Sequence, residues 1–184
     1  MSVMLATGRA VLDPYLALKE AGLTSDMHYA DLGCGALGHF VFPAAAMVGE
    51  GGRVYAVDIL KKAIEQIESR SRIEQMGYVV AVWGDIEREG GVKVPKDTLD
   101  VVSINNLGRL LKRAAGPFHE AWRLLRPQGK LLVVDWKPST GTFGPASTHR
   151  VTPAEIRPIA ERNEFRFVKE FDAGKYHWGM VFSK

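Results

Sequence analysis

The chain has 184 residues, 46% of them hydrophobic, and its 24 Lys+Arg against 21 Asp+Glu give a net charge of +3. This is enough apolar material for one substantial core, so a single domain spanning residues 1–184 is expected. The basic residues are scattered, which makes nucleic acid a weak partner, and the single cysteine, Cys34, rules out an intrachain disulfide or a cysteine-held metal cluster.

Met1 to Arg9 lacks the charged segment and apolar core of an export signal, and no apolar run approaches the roughly 20 residues of a membrane span. A cytoplasmic protein with no membrane span is the expectation, and no metal site is expected. In chain order, apolar spacing predicts an opening helix over about Arg9 to Ala21, with Asp13 and Pro14 inside it and Gly22 ending it. His28 to Leu32 reads as the first strand. A helix then begins near Gly38 or His39 and stops at Gly49-Glu50-Gly51-Gly52, and Arg53 to Val57 forms a β-rich run ending on Asp58.

The next helix, about Leu60 to Met76, aligns Ala63, Ile64, Ile67 and Ile73 and is closed by Gly77. Tyr78 to Trp83 and Leu99 to Ile104 are the third and fourth strands. One helix ending near Arg126-Pro127-Gln128-Gly129 leads to the fifth, Lys130 to Trp136. Lys137 to Val151 is a long irregular connection, a kind more often functional than idle. Thr152, Pro153 and Glu155 form a capping-box start for the last helix. Phe165 to Phe171 and His177 to Phe182 read as an antiparallel hairpin around Asp172-Ala173-Gly174-Lys175, with Phe165, Phe167 and Phe171 at strand spacing as core.

Gly33-x-Gly35-x-x-Gly38, after a strand and before a helix, is a nucleotide-binding pattern, because glycine permits a tight turn and close backbone approach to a ligand. Asp58 ends the next strand, where a carboxylate can accept from both hydroxyls of a ribose; NAD and S-adenosylmethionine both remain open at this point. Asp31 discriminates between them. It lies at the carboxyl end of the first strand, where it would oppose a pyrophosphate but suit the amino group and sulfonium of S-adenosylmethionine. Asp85, in Gly84-Asp85-Ile86, follows the third strand and can accept from an adenine amino group while Ile86 packs on the ring. Cys34 reads as a small residue whose amide faces the ligand.

On these residues the sequence resembles the class I S-adenosylmethionine-dependent methyltransferases. Asp31-Leu32-Gly33-Cys34-Gly35, Val54-Tyr55-Ala56-Val57-Asp58, Gly84-Asp85-Ile86 and Leu99 to Asn106 are similar to that family's first four motifs. Leu124 to Leu131 is similar to its segment entering strand five, with Gln128 where glycine is more usual. The closest flavour is the menaquinone/ubiquinone-biosynthesis type of C-methyltransferase. The resemblance implies an α/β, Rossmann-like, doubly wound sheet of seven strands in the order 3-2-1-4-5-7-6, with strand 7 antiparallel. It also implies that the methionine end of the cofactor rests on the glycine turn, the ribose on Asp58 beside Ile59, and the adenine beside Asp85 and Ile86. Asn105 would lie near the methionine moiety or the methyl group.

Methyl transfer is an in-line displacement at a carbon that the sulfonium already activates, so the protein supplies alignment and desolvation. An acceptor with a high pKa also needs a base, for which His149 and His39 are the candidates, with His177 and Asp135 beside them. A small or moderately apolar acceptor fits, methylated on carbon or oxygen and walled by the opening helix and the Lys137 to Val151 segment. Asn105-Asn106-Leu107-Gly108 lacks the Pro-Pro-aromatic pattern of amino- and base-methyltransferases, and one cysteine cannot hold a metalloid. A non-catalytic S-adenosylmethionine-binding module, a macromolecular acceptor, and a homodimer that completes the pocket are the alternatives.

Overall fold

A computed structural model describes residues 11–139, 141 and 143–184. The export-signal reading of Met1 to Arg9 lies outside the described residues, as do Arg9 and Ala10 of the expected opening helix, while Val11 to Asp13 are described and not helical. Helix α1 runs over Pro14–Glu20, and Asp13 is its N-cap rather than a residue inside it, its carboxylate accepting from the amides of Tyr15 and Leu16. Proline fixes a helical φ and has no amide to donate, so it belongs at the first position behind such a cap.

The remaining elements are β1 (His28–Leu32), α2 (Val41–Val48), β2 (Arg53–Asp58), α3 (Lys61–Ile73), β3 (Val79–Trp83), β4 (Leu99–Asn105), α4 (Gly108–Arg113), α5 (Gly116–Leu124), β5 (Leu125–Trp136), α6 (Pro153–Arg162), β6 (Arg166–Gly174) and β7 (His177–Ser183). They build one seven-stranded sheet in the order β3-β2-β1-β4-β5-β7-β6. Strands β1 to β5 pair in parallel, and β7 runs antiparallel to both β5 and β6. The expected order is therefore found.

Both faces of the sheet are covered, which is why its central strands read as nearly continuous apolar runs. On one face α1, α2 and α3 bury Leu18, Phe42, Ala45 and Ile67 against Tyr29, Val101 and Val134. On the other, α4, α5 and α6 bury Leu111, Phe118 and Ile156 against Leu32, Ile104 and Trp178. Among the described residues no helix is long and apolar enough to cross a membrane.

Several boundaries differ from the sequence reading, including a later start of α2, at Val41. The single helix expected before β5 is two short ones, because Ala114 is extended and Pro117 restarts the helix in α5. Strand β5 begins five residues early, at Leu125, with an irregular register opposite Leu99 and Val101. There Gln128 adopts φ +66°, the left-handed conformation that explains why glycine is more usual at that position. Helix α3 ends at Ile73, and the left-handed residue that closes it is Gln75, φ +56°, rather than Gly77. The last turn falls at Lys175-Tyr176, one step beyond the expected one, since β6 extends through Gly174.

The chain path reverses between β1 and β4. In such a sheet the crevice at the carboxyl ends of the strands, beside that reversal, is where ligands bind. Asp31, Asp58, Trp83, Asn105 and Trp136 stand at or beside the carboxyl ends of β1 to β5. The antiparallel direction of β7 brings its first residue, His177, to the same edge.

Candidate functional site

The turn after β1 is held by its backbone. The amides of Gly33 and Cys34 both donate to the carbonyl of Val57, at 2.8 and 2.9 Å, and the Gly35 amide donates to the Asp58 carboxylate at 2.9 Å. Gly33, Gly35 and Gly38 have φ of +82°, +63° and +57°, values that L side chains rarely adopt. A Cβ on Gly33 would stand 2.5 Å from Leu107 Cδ1, and one on Gly38 would stand 2.6 Å from Ile67 Cδ1. A Cβ on Gly35 would meet nothing within 4 Å. Its open face looks into a cavity of about 400 Å³ lined by Gly33, Gly35, Asp58, Ile59, Asp85, Ile86 and Leu107. The Cys34 amide, expected to face the ligand, is spent on Val57 instead, and the Cys34 side chain is buried in the core.

The acids stand as follows. Asp58 is 8% exposed, and its second oxygen accepts from the Leu60 amide at 2.9 Å. Asp85 accepts from the Glu87 amide at 3.0 Å, which fixes the turn that carries Ile86 into the cavity wall. Asp31 is buried, accepting from Ser103 Oγ at 3.0 Å and Asn105 Nδ2 at 2.8 Å. Burial pushes its carboxyl up to about 7; the two hydrogen bonds oppose that shift and the nearby Asp58 adds to it. No cation among the described residues pairs with Asp31, so a positive ligand would find an acceptor there.

Asn105 donates its amide nitrogen to Asp31 and Ser103, and its Oδ1 is buried without a partner. Leaving a buried acceptor unpaired costs on the order of 1–3 kcal/mol. It therefore reads as a seat for a donor group of a ligand. Asp31, Asp58, Asp85 and the Asn105 oxygen together fit S-adenosylmethionine, which has an ammonium, a sulfonium, ribose hydroxyls and an adenine amine to offer them.

The sequence reading gave Trp83 no role beyond ending the third strand. Its indole N–H donates to the Ile59 carbonyl at 2.8 Å, and Lys61 lies over its ring, so it braces the segment that follows Asp58. The usable signal was an aromatic residue at the end of β3, beside the strand end that carries Asp58.

The four base candidates separate. His149 lies exposed on a 3₁₀ turn over Ser147–His149, its Nε2 3.0 Å from Arg109. His39 follows the glycine turn with its ring edge-on to Phe40, and desolvation lowers its pKa against an opposing hydrogen bond with the Leu12 backbone. Asp135 is buried, accepts from the amides of Gly108 at 2.6 Å and Trp136 at 2.7 Å, and is pushed up to about 6 by burial. It fixes the start of α4 and hence Leu107 beside Gly33. His177 is buried, with Nδ1 3.1 Å from the Val11 carbonyl and its ring 4.2 Å from that of Trp136.

The long connection after β5 is organised by a residue the sequence reading passed over. Arg150 is 9% exposed and donates to the carbonyls of Pro138, Gly141, Phe143 and Pro145 at 2.9 to 3.1 Å. A guanidinium has five donors in a fixed fork, so one side chain can gather four backbone carbonyls. The gathered loop lays Phe143 against Trp136 and Tyr176, at ring distances of 5.8 and 4.7 Å.

Comparison with known proteins identifies the family and the fold. Residues 23–168 match the family model described as a methyltransferase domain. The ubiquinone/menaquinone biosynthesis C-methyltransferase of Pectobacterium atrosepticum is 28% identical over 159 residues, covering 82% of this chain and 61% of that protein. The nocamycin O-methyltransferase of Saccharothrix syringae is 31% identical over 101 residues, covering 55% of this chain and 35% of that one. The chain thus spans about a third and three fifths of the lengths of these two relatives. A solved SAM-dependent methyltransferase from Aquifex aeolicus superposes with a TM-score of 0.88 at 25% identity, covering 97% of this chain and 93% of its own. The geranyl diphosphate C-methyltransferase of Streptomyces coelicolor A3(2) shares the fold, with a TM-score of 0.71 at 14% identity over 92% of this chain and 77% of that one.

Proposed function

The chain belongs to the methyltransferase domain family, and on that premise we propose that it is an S-adenosylmethionine-dependent methyltransferase acting on a small or moderately apolar acceptor. The observation that carries this reading is the cavity between the glycine turn and the Asp58 and Asp85 strand ends. It is rimmed by carboxylates and has no arginine or lysine among its lining residues, which favours a cation over a pyrophosphate.

In this reading Gly33, Gly35 and Gly38 cradle the methionine end, Asp58 takes the ribose hydroxyls beside Ile59, and Gly84-Asp85-Ile86 receives the adenine. Asp31 and Asn105 complete the acceptor set for the ammonium. The cofactor supplies a methyl group already activated by its sulfonium, so the residues here have to align and desolvate rather than form a covalent intermediate. The acceptor lies over the ends of β4 and β5, against the aromatic wall of Trp136 and Phe143. The two curated relatives transfer methyl to carbon and to oxygen by their names, and either atom suits a wall of that kind.

Titration calorimetry with S-adenosylmethionine and with NAD tests the donor. S-adenosylmethionine binding at one site per chain, with NAD silent, is expected; NAD binding in its place would overturn the reading. Formation of S-adenosylhomocysteine with phenols, quinols and aliphatic alcohols then tests the reaction, and no turnover across those classes would leave a binding module instead of an enzyme.

A further inference from the structure

One wall of the donor cavity is the segment Gly84 to Glu87, and three residues of α5 meet the chain that continues from it. Gly116 lies so close to Glu87 that a Cβ on it would stand 2.1 Å from the Glu87 carbonyl oxygen. Glu120 accepts from the Gly90 amide on Oε2 at 2.8 Å and from the Val92 amide on Oε1 at 3.0 Å. Arg123 donates to the carbonyls of Val92 and Val94 at 2.9 and 3.1 Å. Residues at i, i+4 and i+7 share one face of a helix, so a single face of α5 carries all three contacts.

Glu120 is the centre of that face. Its side chain is fully buried, and Arg123 closes on both of its oxygens at 2.7 and 2.9 Å. Each oxygen thus takes one amide and one guanidinium hydrogen, which satisfies a carboxylate withdrawn from water. Burial would raise the Glu120 carboxyl, but Arg123 and the two amides outweigh it and hold the group below its ordinary value. The two amides flank Gly91, and a Cβ on Gly91 would stand 2.2 Å from the Asp85 carbonyl oxygen. The Arg88 amide donates to that same carbonyl at 3.3 Å, and the Gly91 amide to the Arg88 carbonyl at 2.9 Å. A shift of Gly91 therefore moves Asp85. Asp85 spends Oδ1 on the Glu87 amide at 3.0 Å, which leaves Oδ2 for a ligand.

We propose that Glu120 is a positioning residue for the base of the donor: through Gly91 it holds Asp85 where Oδ2 meets the amino group of adenine, and so sets the preference for adenine over a base with a carbonyl at that position. The proposal rests on the methyltransferase reading and deepens it. Glu120 is not among the residues that line the cavity, so it acts through Asp85 and not on the donor. A carboxylate can only accept, and a base carbonyl in place of the amino group sets two acceptors face to face.

The test titrates the full chain with S-adenosylhomocysteine and with S-inosylhomocysteine, which carry an amino group and a carbonyl at the same ring carbon. The parent is expected to bind the first about 30-fold more tightly, the range for one hydrogen bond to a charged group. Glu120→Gln keeps the shape and removes one acceptor. Its affinity for S-adenosylhomocysteine is expected to fall about tenfold, with S-inosylhomocysteine within about twofold of the parent, so the preference shrinks to about threefold. Equal losses for both ligands, or an unchanged preference, would show a residue that only supports the fold and would overturn the proposal. Gly116→Ala presses on Glu87 from the same face without touching the buried charge, and so decides the matter if Glu120→Gln does not fold. Its preference is also expected to drop at least about threefold, and the parent's preference in that variant would overturn the proposal. Asp85→Asn should abolish the preference, and its survival there would take base recognition away from Asp85 and sink the idea. A parent that binds both ligands equally would do the same, whereas a parent that binds neither would sink the methyltransferase reading itself.

Discussion

The two halves of the carboxyl edge are built by different means. Around β1, β2 and β3 the donor pocket consists of backbone: three left-handed glycines, amides tied to Val57 and Asp58, and acids at consecutive strand ends. Over β5 and β7 the wall consists of side chains, namely Trp136, Phe143, Tyr176 and His177, on segments far apart in sequence and gathered by Arg150. A backbone pocket fixes one ligand shape and tolerates little substitution. A side-chain wall can change what it recognises while its path is kept by a single buried cation.

Removing Asp58 breaks the donor half hardest. Asp58→Ala should weaken S-adenosylmethionine binding about 100-fold by calorimetry, as expected when two charge-assisted hydrogen bonds of about 1.5 kcal/mol each are lost. Because Asp58 also holds the Gly35 and Leu60 amides, the turn should loosen as well, seen as faster amide exchange there. Affinity within threefold of the parent would detach Asp58 from the ribose.

Arg150→Met does the complementary damage. Its four carbonyls are released, so the 138–150 segment should become readily cut in limited proteolysis, and the acceptor KM should rise about tenfold while donor affinity stays within twofold. Equal losses for donor and acceptor would mean that the two halves are not separable.

A smaller effect distinguishes the halves by pH. Asp31 and Asp135 have folded-state values of about 7 and about 6, both raised from 3.8. Between about pH 4 and 7 the folded chain therefore holds protons that the unfolded chain has lost, and stability falls as pH rises through that window. The cofactor-free chain should melt higher at pH 5 than at pH 7.5, and Asp31→Asn should flatten the upper part of that slope. A cationic donor pulls the Asp31 value down, so S-adenosylmethionine affinity should rise from about pH 6 to 8 in the parent and stay level in Asp31→Asn. A flat parent profile would remove Asp31 from the cation site. The smallest change is expected for His149→Ala: the ring is exposed and rests on Arg109, so kcat should alter by less than about threefold, and a hundredfold loss would make the loop histidine the base.

Sequence alone located the glycine turn and its neighbouring acids because their signals are local. Gly33-x-Gly35-x-x-Gly38 occupies six adjacent residues, the acids recur at successive strand ends, and continuous apolar runs mark strands covered on both faces, so the fold class and the order of elements followed without long-range information. Local preference does not locate a break such as the one between α4 and α5, because packing of Leu111 and Phe118 against β4 and β5 decides where two short helices lie. Nor does it tell that the Cys34 amide is taken by Val57, a contact across two strands. The aromatic wall over β5 and β7 was decided by tertiary structure for the same reason. His177 reaches Trp136 only because β7 runs antiparallel to β5, and Arg150 became an organising residue only when the chain folded four carbonyls around it. At the site where the glycine turn and its acids stand ready for a cation, sequence spacing suffices; at the neighbouring edge, pairwise contacts between residues up to 166 positions apart, as between His177 and Val11, do the specifying.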